Sequence, residues 1–299
     1  MAVQPRTALD MRRTRHEDTV TLSSGCVSLD QILQGGFRSG LLTEICGEAS
    51  AGKTQLCLQL LLQSCLPMSL GGLGGTACYI STEGVGSVKR LQELGAVYQQ
   101  RYGGVLRKRR RDDGGATGSS FLDHIFVEQI YEADALAEYI QIRLPTLLDE
   151  HNTKLVVIDS IAAVFRMEST SSVKEASERS RMMFHLANCM RILSAQFKTV
   201  FVVTNQVTGN VTEGVSFSSD RSSQAKPALG LSWSNCINQR GATGTSREVK
   251  LTACSDGRLM LHRARRGGGR TAEVVLSPYL APAKAAFLIT GAGVTSTDE

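Results

Sequence analysis

The chain has 299 residues, 42% of them apolar, 5% aromatic and 20% charged, with a formal net charge of +5. That length accommodates one large α/β domain or two small ones, and the composition excludes a disordered tail, a collagen and a coiled coil. No apolar run of about eighteen residues is present, so a membrane-spanning helix is excluded, and the polar N-terminus lacks a secretory core. Eight cysteines form no C-x-x-C pair and sit mostly inside apolar runs. They read as reduced, buried thiols of an intracellular protein rather than disulfides or a zinc site.

In chain order, residues 1–20 are charged and aperiodic, a flexible linker before a single domain spanning 21–299. Leu41 to Cys46 is a short apolar run stopping at Gly47, which suits a buried strand. Gln55 to Leu66, rich in Leu and Gln, reads as a helix ended by Pro67. Ala77 to Ser81 is a second strand and Val88 to Tyr102 an amphipathic helix. His124 to Glu128 is a third strand, followed by a helix over Glu132 to Leu148 that Pro145 would kink. Leu155 to Ile158 is almost purely β-branched, as a central parallel strand buried on both faces would be. A helix over Ala176 to Gln196 and a strand over Thr199 to Thr204 come next. Beyond Gly230, short runs at Glu248–Ala253 and Glu273–Leu276 read as closing antiparallel strands. Two glycine-bearing charged stretches, near 103–120 and 257–270, read as exposed insertions. Residues 101–118 hold six basic and two acidic residues, and 258–270 hold five basic and none acidic. Together they contribute +9, leaving the rest of the chain at −4.

One motif carries chemistry. Gly47-Glu48-Ala49-Ser50-Ala51-Gly52-Lys53-Thr54 matches G-x-x-x-x-G-K-[ST] between a strand and a helix. Its glycines let backbone N–H groups turn inward around phosphate oxygens, and the helix start adds its positive dipole end. Lys53 would reach the β and γ phosphates and the Thr54 hydroxyl would ligate Mg²⁺. Asp159, ending the Leu155–Ile158 strand, is placed to support the metal, although an Asp there is often only a turn former. Ser160 follows it, so a water-activating carboxylate must come from elsewhere. Glu83, ending the second strand, would face the same crevice; the alternative is a helix cap or a solvated turn acid. Position alone leaves Gln206 open between a γ-phosphate sensor and an ordinary strand-end residue. No N-K-x-D guanine motif and no L-S-G-G-Q signature is present.

Longer strings add a resemblance. Ser23-Ser24-Gly25 with Leu29-Asp30, Gly35-Gly36, Thr43-Glu44, Gly52 to Leu56, Thr82-Glu83-Gly84 and Thr204-Asn205-Gln206-Val207 resemble the eukaryotic RecA-like recombinases and their DNA-repair paralogues. The similarity spans about Thr7 to Val294. It implies a RecA-like phosphate-loop ATPase core of α/β class: a twisted, mostly parallel sheet flanked by helices, with C-terminal antiparallel strands. ATP and Mg²⁺ would be held by Gly47 through Gln55 (Gly47, Glu48, Ala49, Ser50, Ala51, Gly52, Lys53, Thr54, Gln55), with Thr54 and Asp159 at the metal. Glu83 would orient the attacking water, Lys53 would act on the phosphates, and Gln206 would couple nucleotide state to DNA. The family's DNA loops would fall at about 166–178 and 208–226, with Arg166, Lys174, Arg179, Arg221 and Lys226 near phosphates and Phe217 stacking on a base.

The resemblance also implies an accessory role in homologous-recombination repair of double-strand breaks, in the nucleus and secondarily the cytoplasm. A weak DNA-dependent ATPase would assist the main strand-exchange recombinase as the heterodimer partner of the C-type paralogue; the alternative is a self-sufficient strand-exchange recombinase. Three departures favour the accessory role. On this reading the chain starts at the family's linker, so the N-terminal helical DNA-binding domain is expected to be missing. Pro5-Arg6-Thr7-Ala8 keeps the alanine of the recombinase Phe-x-x-Ala docking motif without its aromatic anchor. Leu276, not Asp, precedes Ser277-Pro278.

Overall fold

The computed structural model describes residues 19–84, 86–112, 120–166, 172–208, 226–238, 242–243, 250–251, 256–263 and 269–297. A short hairpin of β1 (Thr21–Leu22) and β2 (Phe37–Arg38) encloses helix α1 (Val27–Ile32). Strand β3 (Leu42–Gly47) then feeds the phosphate-loop motif and helix α2 (Lys53–Ser64). Strand β4 (Thr76–Ser81), helix α3 (Gly86–Asp112) and strand β5 (Ile125–Gln129) follow. Helices α4 (Ala133–Glu138) and α5 (Leu144–Glu150) are joined through a wider turn over Tyr139–Arg143. Pro145 sits at the start of α5, where a missing N–H is tolerated, so the chain bends there without stopping. Strand β6 (Thr153–Asp159), helices α6 (Ile161–Arg166) and α7 (Val173–Phe197), and strand β7 (Val200–Thr208) complete the alternating part.

The remainder comprises β8 (Lys226–Pro227), helix α8 (Gly230–Asn238), a two-residue pair β9 (Ala242–Thr243) and β10 (Lys250–Leu251), and then β11 (Gly257–Arg263), β12 (Arg270–Leu276), β13 (Lys284–Thr290) and β14 (Gly293–Ser296). The main sheet has ten strands in the order β14-β13-β12-β11-β3-β7-β6-β4-β5, with β8 added on β7. From β11 to β5 every pairing is parallel, and from β12 to β14 antiparallel.

The alternation of side chains explains why both faces are covered. Tyr79, Leu155, Val157, Val200 and Val202 point to one face, against α2, α3 and the C-terminal strands. Cys78, Ile80, Val156, Ile158, Phe201 and Val203 point to the other, against α4, α5, α7 and α8. Every one of these side chains is fully buried or within 1% of it. The doubly buried character expected of Leu155–Ile158 is what the sheet shows.

Two expectations are corrected. The helix read as Val88 to Tyr102 runs from Gly86 to Asp112, so the first charged stretch is helical through Asp112 rather than an insertion; its residues 113–119 lie outside the described residues. The second stretch is not an insertion from residue 257 onward. Gly257–Arg263 is a strand parallel to β3, with Leu259 and Leu261 buried. Arginines at both ends masked a strand whose buried register is carried by alternate residues only. Of that stretch, 264–268 lie outside the described residues, as do the linker 1–18 and most of the run read as Glu248–Ala253.

Candidate functional site

Parallel pairing lines up the carboxyl ends of the central strands. The register sets Gly47 of β3 opposite Gln206 of β7, and Ser81 of β4 opposite Asp159 of β6. The loop 47–53 leaves β3 at that crest. Gly52 sits at the helix N-cap with φ 107° and Ser50 at the apex with φ 61°. The first is a conformation suited to glycine and the second is left-handed, so the loop curls around a space in front of its N–H groups. A Cβ at Gly47 would stand 2.6 Å from the Leu261 carbonyl oxygen, and one at Gly52 would stand 2.6 Å from Ile289 Cδ1. Gly47 is therefore required by close approach to the β11 backbone, and Gly52 by its left-handed φ.

Lys53 Nζ lies over the loop and donates to the carbonyls of Gly47 at 2.8 Å and Glu48 at 2.9 Å. Its pKa is lowered by burial, while Asp159 and Glu83 draw it back up. Thr54 follows on the same first turn. Beside them opens a cleft of about 550 Å³, bordered by Ser50, Gly52, Lys53, Thr54, Gln55, Arg90 and Arg270.

Asp159 is buried at the end of β6. Its Oδ1 accepts from Thr204 Oγ1 at 2.5 Å and its Oδ2 from the Tyr79 hydroxyl at 3.1 Å. The peptide between Asp159 and Ser160 is cis. Thr82 and Ser160 bond reciprocally, Thr82 Oγ1 donating to the Ser160 carbonyl at 2.7 Å and accepting from its N–H at 2.8 Å. This tie fixes the chain beyond β6 against the chain beyond β4. Glu83 then receives two hydrogen bonds on Oε1, from Ser160 Oγ at 2.9 Å and Gln206 Nε2 at 3.1 Å.

The sequence-predicted residues thus converge: Lys53, Thr54, Asp159, Glu83 and Gln206 share one crest. Gln55 has a different role, since its Oε1 accepts from Arg90 Nε at 3.0 Å. Arg90 also donates to Glu93 at 3.0 Å and to the carbonyls of Thr290 at 2.8 Å and Gly291 at 3.1 Å, tying α3 to the β13–β14 turn. Of the expected DNA-loop residues, Lys174 is exposed on α7 and lies 4.0 Å from Glu178. Lys226 pairs through its backbone with Thr208. Phe217 and Arg221 lie outside the described residues, and of Arg166 only the backbone is described.

The sequence reading missed a charged network beneath the loop. Glu44 of β3 is fully buried. Its Oε1 accepts from Asn205 Nδ2 and Trp233 Nε1, each at 2.8 Å, and its Oε2 from Arg258 Nε at 2.5 Å. Glu44 was visible as an acid inside an apolar strand, which is the signal that marks a paired buried charge. Its partners, on β7, α8 and β11, were not visible.

The mostly parallel sheet, the glycine-curled loop, the lysine folded over it and the carboxylate ending the next strand but one define a RecA-like α/β protein. Comparison narrows the class: residues 15–297 match the Rad51 family model, and the chain belongs to that family. It is 33% identical over 296 residues to "DNA repair protein XRCC3 homolog" of Arabidopsis thaliana, covering 91% of this chain and 92% of that one. It is 34% identical over 279 residues to mouse "DNA repair protein XRCC3", covering 91% and 74%. Against "DNA repair protein rhp57" of Schizosaccharomyces pombe it is 32% identical over 283 residues, covering 86% and 74%. The chain is an XRCC3-like paralogue within the Rad51 family, of DNA repair and recombination.

Proposed function

We propose that the protein binds ATP with Mg²⁺ and uses slow hydrolysis to assist the main strand-exchange recombinase in homologous-recombination repair of double-strand breaks, within a paralogue complex. The loop fits the nucleotide because it and the first turn of α2 border a cleft of about 550 Å³, with Ser50, Gly52, Lys53 and Thr54 on its wall. Lys53 would hold the β and γ phosphates, exchanging its two loop carbonyls for phosphate oxygens. Thr54 would ligate the metal, and Asp159, held by Thr204 and Tyr79, would support it. Bound ATP and Mg²⁺ supply the transferable phosphoryl group and the charge that neutralises it.

The observation that carries the proposal is Glu83. A strand-end carboxylate pinned on one oxygen by Ser160 and Gln206 has a fixed orientation, as the acceptor of a proton from water must. Gln206, near the end of the strand that leads to the expected DNA loop, would sense both ligands through this contact. The accessory role is supported by Leu276, whose apolar side chain packs against the second core cluster where the recombinases carry an acid. DNA, the C-type paralogue as heterodimer partner and a nuclear location belong to the same proposal.

Lys53→Ala is expected to weaken ATP binding about 100-fold, the loss of a charge-assisted phosphate contact. Glu83→Gln is expected to bind ATP as before while hydrolysis falls about 100-fold or more. Equilibrium nucleotide binding and phosphate release measure the two. Normal ATP binding by Lys53→Ala, with full repair in complemented cells, would overturn the site. Filament formation on single-stranded DNA by this chain alone would overturn the accessory role in favour of a self-sufficient recombinase.

A further inference from the structure

Helix α3 continues beyond its described buried stripe. Its apolar stripe is Leu91, Leu94 and Tyr98, all buried, and the half-buried Tyr102, at the spacing of one helix face. Tyr98 closes it against Phe121 at 5.8 Å between ring centroids and against Tyr102 at 5.6 Å. The next place on the stripe after Val105 and Leu106 falls to Arg109, so the apolar face ends there while the helix continues to Asp112. Arg107, Lys108, Arg109, Arg110 and Arg111 occupy five successive helical positions. At 3.6 residues per turn these positions sweep roughly 400°, so they encircle the helix axis. No face of such a turn can be laid on a core without burying a charge. A helix C-terminus favours one or two cations, and five exceed that need.

We propose that this overhang is a second nucleic-acid contact, gripping the phosphate backbone of duplex DNA. Helix α3 runs back from the carboxyl end of β4, so Arg109 lies about 29 Å along the axis from Arg90 at the cleft. The overhang is thus remote from the crest where the family's DNA loops are expected. Two features favour a nucleic acid over an acidic protein. The five residues include no apolar side chain that could centre a protein interface, whereas phosphate contact requires only cations. The chain outside its two basic stretches sums to −4, so attraction to a polyanion has to be concentrated in stretches such as this.

The inference rests on the DNA-repair reading above, and the test separates the two. The full chain and a variant carrying R107Q, K108Q, R109Q, R110Q and R111Q, glutamine keeping helix propensity, are titrated with a labelled DNA duplex between about 50 and 200 mM salt. The variant is expected to bind at least 10-fold more weakly at the low end. Its log–log salt slope is expected to be shallower by about 3 to 4, near 0.9 for each phosphate that is no longer neutralised, with ATP affinity unchanged. The pair variant R109Q/R110Q, carried alongside, should weaken binding by a smaller share and decides the matter if the fivefold change prevents folding. Equal slopes in parent and variants overturn the overhang alone. Absence of duplex binding by the ATP-binding parent overturns it together with the DNA-contacting part of the proposed function. Unchanged DNA binding with lost nuclear accumulation overturns it in favour of an import receptor.

Discussion

Glu44 lies two strand positions before Cys46 in a run that is otherwise apolar or half-buried, and three elements converge on its carboxylate. Removing one partner of a buried charge set leaves the others unpaired at low dielectric, which costs more than the pair's own net worth. Glu44→Ala strands the Arg258 guanidinium, the indole N–H of Trp233 and the Asn205 amide together. The expected loss of stability is about 3–5 kcal/mol. Glu44→Gln keeps an oxygen able to accept from Trp233 and Asn205, and is expected to lose less. Trp233 is the sole tryptophan of the chain, so urea unfolding followed by its emission reads both variants. Equal destabilisation in the two would show that the charge, not the accepting oxygen, holds the network.

At the level of elements, helix α2 is the hub that joins the 47–53 loop to the segments around Ser24 and Val294. Gln59 on its buried face donates from Nε2 to the carbonyls of Ser24 at 2.8 Å and Val294 at 3.0 Å. Its Oε1 accepts from the Val294 N–H at 2.7 Å. One amide thereby substitutes for a missing neighbour of β14, whose other edge pairs with β13. Gln59→Leu, similar in bulk, would leave two carbonyls and one N–H buried without partners. The expected destabilisation is about 2–4 kcal/mol, with hydrogen exchange at the Val294 amide accelerated more than at the β6 and β7 amides. Uniform acceleration across all strands would place the effect elsewhere. The 47–53 loop was legible because its motif is a run of contiguous residues, and Asp159, Glu83 and Gln206 were legible because each lies at or just beyond the end of an apolar run. Gln59 and the Glu44 network were not. Their partners lie far off in sequence, and only the sheet order, with β11 inserted beside β3, brings them together. Local periodicity encodes which face of a strand is buried, but not which strand lies next to it.

For the molecule as a whole, the same insertion of β11 closes the second core around a buried ion pair whose protonation is linked to folding. Asp256, fully buried, accepts on Oδ2 from Arg191 Nε at 2.8 Å and Nη2 at 2.5 Å, and the Cys236 carbonyl accepts from the same guanidinium. Burial raises the Asp256 pKa from an ordinary 3.8 to about 6, against the lowering effect of Arg191 and a backbone N–H from Leu42; Glu44 adds to the rise. The folded chain therefore binds this proton more tightly than the unfolded chain. The stability the group contributes is fully present below about pH 4 and is lost as pH rises through about 6, a change of about 3 kcal/mol. Other groups titrate over the same range, so the quantity to follow is the difference between the parent and Asp256→Asn, which cannot ionise there. Below about pH 4 the parent's Asp256 is a neutral acid beside Arg191, as the Asn amide would be, so the two proteins are expected to be of similar stability there. From pH 4 to pH 7 the parent should lose about 2 to 3 kcal/mol of stability relative to the variant. Urea midpoints of both proteins at matched pH values measure it. A difference that stays level, or moves in the parent's favour with pH, would mean that Arg191 outweighs burial and holds Asp256 ionised throughout the folded range.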